Sequence, residues 1–197
     1  MFPSHDRGRK CLECKRQKAN HWKIRLAEEV AAQNMKNRIL REHWSEDFKL
    51  KGYFVTLTYS DETLDYFAKV GVDENRLTGY DMDNEISRVS VRRFCERWRK
   101  KFGKSVRHWF VNELGGKFSE RVHLHGLVWT GEDPEEIGKV WNFSPSNGRY
   151  KGRQLGGNLY IGKYVSMRTI NYIVKYLHKN DLRHREFTSK VFARTGS

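Results

Sequence analysis

At 197 residues the chain is long enough for one domain with its own hydrophobic core, and a share of 13% aromatic residues argues against disorder throughout. Its formal net charge of +14 is typical of proteins that bind a polyanion, although charge alone does not separate DNA, RNA and anionic membrane. No run of about 18 apolar residues occurs, which argues against a transmembrane helix, and the basic start of the chain does not resemble a signal peptide.

The chain begins with a basic arm, residues 1–14, which ends in a CxxC pair formed by Cys11 and Cys14. Zinc takes four nitrogen or sulfur ligands, so these thiols could complete a zinc site with His5 and His21. The alternative is a pair of ordinary thiols at the start of a helix. An odd count of three cysteines fits a reduced, cytoplasmic protein better than a disulfide scaffold.

Residues 15–48 carry apolar side chains at three-to-four spacing, which predicts a helix, either continuous or divided near residues 34–37. The stripe that we expect to be buried contains Trp22, Leu26, Val30, Met35, Ile39 and Leu40. The first half is strongly basic, and its charged side chains either are simply solvated or also contact phosphate. They are Lys15, Arg16, Lys18, Lys23 and Arg25.

Runs of β-branched and aromatic residues predict four strands, and the most apolar of them, residues 52–59, is expected inside a sheet. The other three are residues 106–113, 121–129 and 158–165. Further helices are predicted at residues 87–102, 135–141 and 169–182. This irregular interleaving predicts an α+β domain over residues 15–182, with a central antiparallel β-sheet flanked by helices, and a basic tail over residues 183–197.

Two segments between these elements predict loops. Residues 60–83 are acidic and lack a clear period, so we expect a long loop with at most one short helix. Residues 142–157 are polar, basic and glycine-rich, which predicts a mobile loop that either closes over a nucleic-acid strand or merely connects its neighbours. The basic side chains expected to bind nucleic acid in this loop and in the tail are Arg149, Lys151, Arg153, Arg183 and Arg185.

The strand at residues 121–129 carries His123 and His125 two positions apart. Side chains alternate faces along a strand, so both imidazoles point to one side while their apolar neighbours point to the other. The glycine-containing loop before this strand predicts an antiparallel hairpin, which would bring Glu113 close to both histidines. Two imidazoles and a carboxylate can hold one divalent ion and keep positions open. The alternative is a half-buried strand that carries two histidines by chance.

In the last predicted helix, the pattern YxxK occurs twice, displaced by one helical turn. Tyr172 and Tyr176 therefore lie on one face, and Lys175 and Lys179 each follow a tyrosine by three positions. A nearby ammonium group favours the phenolate and can hold a phosphate oxygen. A tyrosine could attack phosphorus there and leave a covalent phosphotyrosine. The alternative is a pair of tyrosines that cover the edge of the core.

Taken together, four stretches resemble the HUH endonucleases, in which a hydrophobic residue separates two histidines. They are similar to the family's first strand motif, its GEYG segment, its metal motif and its YxxKYxxK helix, at residues 54–64, 112–115, 121–125 and 172–179. The resemblance is to the two-tyrosine rolling-circle replication initiators of small single-stranded DNA phages, the gokushoviruses and their phiX-like relatives (Microviridae). The CxxC pair and the basic helix after it also resemble those phage proteins.

This resemblance implies a central antiparallel sheet with the histidine strand in its middle. The ligands of one Mn²⁺ or Mg²⁺ ion would be Glu113, His123 and His125. The catalytic residues would be two alternating nucleophiles and their lysine partners, namely Tyr172, Tyr176, Lys175 and Lys179. The family nicks single-stranded DNA at a replication origin and forms 5′-phosphotyrosine links. We therefore expect this DNA, and a host replication helicase and polymerase, as partners in the host cytoplasm.

Three other functions agree with parts of the pattern. A non-catalytic single-stranded nucleic-acid-binding protein would use the same charge and aromatic residues, but it would not need the histidine strand or the repeated YxxK. A transposase or relaxase of the HUH type would use a single tyrosine. A ribonuclease or phosphoesterase with His123 and His125 as acid and base would work in EDTA and leave no covalent adduct.

Overall fold

In a computed structural model of the protein, the structure describes residues 12–43, 50–71, 79–113, 121–162, 165–178 and 186–188. The helices in these ranges are α1 (Leu12–His43), α2 (Asp61–Gly71), α3 (Gly79–Phe102), α4 (Glu135–Trp141) and α5 (Met167–His178). The strands are β1 (Lys51–Leu57), β2 (Arg107–Glu113), β3 (His123–Thr130), β4 (Leu159–Gly162) and β5 (Glu186–Thr188). The predicted α+β class is confirmed.

The strands of the described residues form one antiparallel sheet in the order β4-β1-β3-β2-β5. The histidine strand β3 is therefore central, as the resemblance implies. Strand β1 pairs on both sides, which confirms the interior position predicted from its apolar run. The predicted antiparallel pairing of β2 with β3 is also confirmed, and it sets Glu113 opposite His123 and Val111 opposite His125.

Each face of the sheet is covered by its own set of helices. Helices α2, α3 and α4 pack on one face, where alternate strand residues such as Leu57 and Leu124 are buried. Helices α1 and α5 pack side by side on the other face, against Trp109 and Leu127. Burying one such side chain is worth about 1.5–3 kcal/mol, so the two clusters together hold the sheet in place between the helices.

Helix α1 is continuous, with no break near residues 34–37. Its first half packs on the sheet through Trp22 and Leu26, and the Trp22 ring lies 5.7 Å from the Trp109 ring. A largely buried ion pair between Glu29 and the Arg107 guanidinium, at 2.5 Å, adds a second link from α1 to β2. The strongly basic first half of the helix is thus fixed over the sheet face that carries His123 and His125.

The buried stripe predicted for the second half of α1 is wrong. Met35 and Ile39 are 58% and 48% exposed. Polar side chains take the inward positions instead: Gln33 is buried, and the Asn37 amide donates a hydrogen bond to the carbonyl of Leu50 at 2.7 Å. The stripe shifts because a helix face set by polar contacts need not follow the apolar residues of the sequence. The side chain of Leu40 lies outside the described residues.

The long loop predicted for residues 60–83 is also wrong. Helix α2 occupies Asp61–Gly71 and α3 begins at Gly79, while residues 72–78 lie outside the described residues. Ser60 caps α2, because its hydroxyl accepts a hydrogen bond from the backbone N–H of Thr63 at 3.2 Å. Two acidic residues in the first turn add a favourable interaction with the helix dipole, so acidic composition here marks a helix start.

Residues 142–157 form an irregular segment that is held against α2. The Arg153 guanidinium donates a hydrogen bond to Glu62 at 2.7 Å, and the Tyr150 hydroxyl donates one to Asp65. A short antiparallel bridge closes the segment on itself. These contacts tie it to the body of the protein, in contrast to the mobile loop that composition predicts.

Strand β5, which pairs with β2, lies inside the segment predicted to be a basic tail. A strand of three residues is too short to show a period in the sequence, so the strand pattern misses it. In the part of the chain that the structure describes, no helix combines the length and the apolar character needed to cross a membrane.

Candidate active site

Glu113, His123 and His125 meet on the sheet face that carries α1 and α5. Nε2 of His123 lies 3.1 Å, and Nε2 of His125 lies 2.8 Å, from Oε2 of Glu113. The three candidate ligand atoms all lie within 4.8 Å of one another, so this cluster could hold a metal ion. Imidazole nitrogens suit Mn²⁺ better than Mg²⁺, which prefers oxygen ligands, so this donor set favours Mn²⁺.

Strand geometry explains why the three side chains converge. His123 and His125 share a face because they are two positions apart, and the β2–β3 register places Glu113 directly beside them. Gly126 lets β2 approach closely at this point: a Cβ there would lie 2.3 Å from Cδ1 of Phe110. The next residue of β3 after His125 therefore has to be glycine.

Each histidine has a hydrogen-bonding partner behind it. Oγ1 of Thr56, which stands opposite His125 in the β1–β3 register, lies 2.9 Å from Nδ1 of His125. Nδ1 of His123 lies 3.2 Å from the carbonyl oxygen of Arg121. A carbonyl oxygen can only accept, so Nδ1 of His123 donates, and its Nε2 is left as the ligand atom. Sequence reasoning missed Thr56, whose signal was its place on the alternate, less buried face of β1.

The same contacts test whether the cluster fits a cation. In the neutral His123 ring that donates through Nδ1, the lone pair of Nε2 faces the Glu113 carboxylate. A lone pair and a carboxylate oxygen repel each other unless a cation or a proton lies between them. The donor set of Glu113, His123 and His125 therefore fits a bound cation.

Burial also prepares His125 as a ligand. Desolvation lowers the pKa of His125, and the positive charges of His123 and Lys175 act in the same direction, while contact with Glu113 opposes them. A lowered pKa favours the neutral imidazole, which is the form that binds a metal ion.

Helix α5 places Tyr172 and Lys175 beside this cluster. The Tyr172 ring lies 5.5 Å from the His125 ring between centroids, edge to face, and Tyr172 is 41% exposed. Nζ of Lys175 lies 3.9 Å from the centroid of the Tyr172 ring. A phenol, an ammonium group and a candidate metal site thus share one solvent-accessible place on the sheet, although they come from distant parts of the sequence.

The opposite side of α5 anchors the helix, as its apolar pattern predicts. Ile173, Val174 and Leu177 are buried in the cluster formed with α1 and the sheet. Ser166 caps the helix start, because its hydroxyl accepts from the backbone N–H of Thr169 at 3.3 Å. The other predicted catalytic groups, the Tyr176 side chain and Lys179, lie outside the described residues.

The structure separates the predicted nucleic-acid-binding residues into three groups. On α1, Arg16 is 3.9 Å from Glu13 and the Arg25 guanidinium lies 4.8 Å from the Trp22 ring, and these groups share the helix with Lys15, Lys18 and Lys23. In the irregular segment, Arg149 and Lys151 are exposed, whereas Arg153 pairs with Glu62. Arg183 and Arg185 lie outside the described residues. DNA contact by all of these side chains stays a prediction.

The alternative zinc site near the start of the chain also stays a prediction. Cys14 and His21 are exposed on α1, and Cys11 and His5 lie outside the described residues. Among the described residues, the Glu113 cluster is the one group that could hold a metal ion.

A cavity of about 440 Å³ opens next to His123. Its lining is mainly polar and includes Thr56, Thr58, Ser60, Arg121 and Asn158. A larger cavity of about 600 Å³ lies on the opposite face of the sheet, against α4, and it has no part of the candidate metal site in its lining. The smaller cavity gives the site an open approach from solvent.

A family model for the replication-associated protein ORF2 matches residues 52–181, about two thirds of the chain. The chain belongs to this family. The matched region contains β1, the histidine strand and α5, so the candidate site lies entirely within the family's domain. Membership supports a rolling-circle replication initiator. The chain matches none of the curated proteins and none of the solved structures with which it was compared.

Proposed function

We propose that this protein is an HUH-type, metal-dependent single-stranded DNA nickase and strand transferase that initiates rolling-circle replication. It would act through a covalent 5′-phosphotyrosine intermediate, like the two-tyrosine initiators of the Microviridae. One observation carries this proposal: the exposed Tyr172 ring lies 5.5 Å from the ring of His125, a candidate metal ligand. A non-catalytic binding protein has no need for a nucleophile at this place.

In the proposed reaction, Oη of Tyr172 attacks the scissile phosphorus. A bond forms between phosphorus and the tyrosine oxygen, and the bond between phosphorus and the 3′ oxygen breaks. The proton lost by the phenol balances the proton gained by the released 3′ hydroxyl, so no co-reactant is required. The phosphodiester bond energy is retained in the adduct, and a 3′ hydroxyl can later attack it to rejoin a strand.

The metal would be held by Glu113, His123 and His125, with Mn²⁺ preferred. Bound there, it would supply positive charge to a non-bridging oxygen of the scissile phosphate. The Lys175 ammonium, which lies over the Tyr172 ring, supplies a second positive charge on the same side of the sheet. Both charges offset the negative charge that develops on the phosphate oxygens.

Tyr176 follows Tyr172 by one helical turn in α5. We propose that it serves as the second nucleophile and that Lys179 is its partner. With two tyrosines, the next strand can be cut before the first covalent link is released, so the chain ends never become free.

The substrate that we propose is single-stranded DNA at a replication origin. Its backbone would be bound by the basic side chains of α1, of the irregular segment and of residues 183–185, in keeping with the formal net charge of +14. A host replication helicase and polymerase would extend the released 3′ hydroxyl, and the host cytoplasm would be the compartment.

Covalent capture tests this function. The full chain is incubated with the single-stranded DNA of the replicon that encodes it, with Mn²⁺ or with EDTA, and run on a denaturing gel. We expect a shifted protein–DNA band that requires Mn²⁺ and disappears in the Tyr172→Phe/Tyr176→Phe double variant.

Each rival function gives a different result in the same experiment. Loss of the band in one single tyrosine variant, with no effect of the other, would favour a single-tyrosine enzyme. Tight DNA binding without any adduct in Mn²⁺ would support the binding protein. Cleavage in EDTA without an adduct would support acid–base chemistry by His123 and His125.

A further inference from the structure

The sheet face next to the candidate metal site carries an exposed aromatic surface. Tyr160 of the edge strand β4 is 60% exposed, the most open of the large apolar side chains that the structure describes. In the strand registers, Tyr160 stands beside Thr56, and Thr56 stands beside His125. Tyr160 is therefore two strand spacings, about 10 Å, from His125 along one row of the sheet.

Aromatic rings connect Tyr160 to the nucleophile. The Phe54 ring lies 6.1 Å from the Tyr160 ring and 5.9 Å from the Tyr172 ring, edge to face in both cases. The same ring stacks nearly parallel to the His125 ring at 6.0 Å. We call Tyr160, Phe54 and Tyr172 the aromatic row.

The residue opposite Phe54 on β4 leaves this row uncovered. Gly162 pairs with Phe54, and glycine has no side chain to lie across the ring. Space is available there, since a Cβ on Gly162 would meet Phe54 at an ordinary contact distance of 3.5 Å. Isolated apolar side chains on a surface are common, but a row of rings that ends at a candidate metal site indicates a binding surface.

We propose that Tyr160 is a base-stacking residue that holds an unpaired base of the DNA strand close to the scissile phosphate. This inference rests on the proposed function, because it names how that site receives its single-stranded substrate. Aromatic side chains stack on any base, and bases inside a duplex are already stacked on each other. The strand's phosphates are attracted by the nearby Lys175 and by the net positive charge of the protein.

The orientation of the aromatic row gives this surface a second role. A base held on Tyr160 fixes the strand along the row from β4 toward α5, and this brings a neighbouring phosphate toward Tyr172 and the metal ligands. Tyr160 is thus a positioning residue for the nick, and it selects single strands over duplex at the site of cleavage.

The test measures DNA affinity in the absence of cleavage. The parent is the full-length Tyr172→Phe/Tyr176→Phe variant, which keeps the Tyr172 ring, and the probe is a labelled thymidine oligonucleotide in Mn²⁺ at fixed salt. We expect Tyr160→Ala to weaken binding about 5- to 100-fold, the range for loss of one base-stacking ring. Tyr160→Phe and Tyr160→Trp should retain the affinity of the parent.

Three comparisons distinguish stacking from charge or misfolding. Duplex affinity and the slope of affinity against salt should be the same in Tyr160→Ala and the parent, because no charge is removed. Val70→Ala, which truncates a residue of α2 that is 51% exposed, should bind like the parent. Melting temperatures of Tyr160→Ala and Tyr160→Phe should agree, since the side chain is largely in solvent.

The proposal is overturned if Tyr160→Ala binds the oligonucleotide within about twofold of the parent, or if single-strand and duplex affinity fall together. It is likewise overturned if Tyr160→Ala changes the oligomeric state and leaves DNA affinity unchanged, since the surface would then join two copies of the chain. Adduct formation by the wild-type protein is scored separately. A nickase with no contribution from Tyr160, and a Tyr160-dependent binder with no adduct, are therefore distinguishable results.

Discussion

Thr56 and His125 stand opposite each other in neighbouring strands, and Oγ1 of Thr56 lies 2.9 Å from Nδ1 of His125. The pair is 69 positions apart in the sequence. This hydrogen bond orients the ring so that its Nε2 faces Glu113 at 2.8 Å. A hydroxyl on β1 thereby helps to aim a metal ligand of β3.

Replacing this hydroxyl should weaken metal binding. We expect Thr56→Val, which keeps the shape of the side chain, to lower the affinity for Mn²⁺ about 10- to 100-fold, the usual cost of losing a partner behind a metal ligand. Titration calorimetry measures this affinity directly. The matched control is Thr58→Val, two positions further along the chain, whose hydroxyl donates to the carbonyl of Asn158 instead. Equal losses in the two variants would contradict a specific role for Thr56.

Removing the Lys175 charge should slow adduct formation more than it weakens DNA binding. Its ammonium lies 3.9 Å from the Tyr172 ring centroid, so Lys175→Met removes a charge close to the proposed nucleophile. We expect the rate of adduct formation at saturating DNA to fall at least tenfold, about 1.4 kcal/mol in the barrier, while Lys175→Arg keeps most of it. The control is Lys69→Met, far along the chain on α2. If affinity falls and the saturated rate does not, Lys175 only binds the DNA backbone.

His108 should make the stability of the protein sensitive to acid. It is buried beside Phe110, and desolvation lowers its pKa to about 4 from the ordinary 6.5. In the unfolded chain His108 takes up a proton near pH 6.5, whereas the folded protein resists protonation until about pH 4. The stability contributed by the neutral ring is therefore complete above pH 6.5 and is lost as the pH falls toward 4, an effect on the order of 3 kcal/mol.

Urea unfolding in EDTA between pH 7 and pH 4 measures this dependence. The wild-type free energy of unfolding should fall across the window, and His108→Gln should remove part of the slope. His21→Gln, on the exposed surface of α1, is the control. Identical slopes for wild type and His108→Gln would show that other groups cause the acid sensitivity.

Gly126 should be intolerant of any side chain. A Cβ at this position would lie 2.3 Å from the Phe110 ring and 2.4 Å from the carbonyl oxygen of Trp109, and the backbone cannot yield without disturbing the β2–β3 pairing. We expect Gly126→Ala to destabilise the fold by at least about 1–3 kcal/mol and to weaken Mn²⁺ binding, because Glu113 and the histidines depend on that register. Gly162→Ala, at a strand position with ordinary space, should change the melting temperature little.

The local patterns of the sequence determined a large part of this site. Alternation along β3 put His123 and His125 on one face, and a short hairpin with antiparallel pairing brought Glu113 to them. The helical spacing of α5 likewise separated its buried side from the side that carries Tyr172 and Lys175. These features follow from periods of two and about 3.6 residues, which any reader of the chain can apply.

Local patterns failed where a residue's environment came from distant segments. The acidic stretch at residues 61–71 lacked a clear period, yet a serine cap and burial of Phe67 make it a helix. Met35 and Ile39 fit an apolar stripe but are exposed, because polar contacts set the inward face of α1 there.

Only the tertiary structure decided which elements meet at the candidate site. The non-sequential strand order β4-β1-β3-β2-β5 placed Thr56 beside His125 and left Tyr160 on an open edge of the same face. The packing of α5 against α1 and the sheet then set the Tyr172 ring 5.5 Å from His125. These distances depend on how whole elements pack, and such packing is the sum of many contacts between residues far apart in the chain, so no local period encodes it.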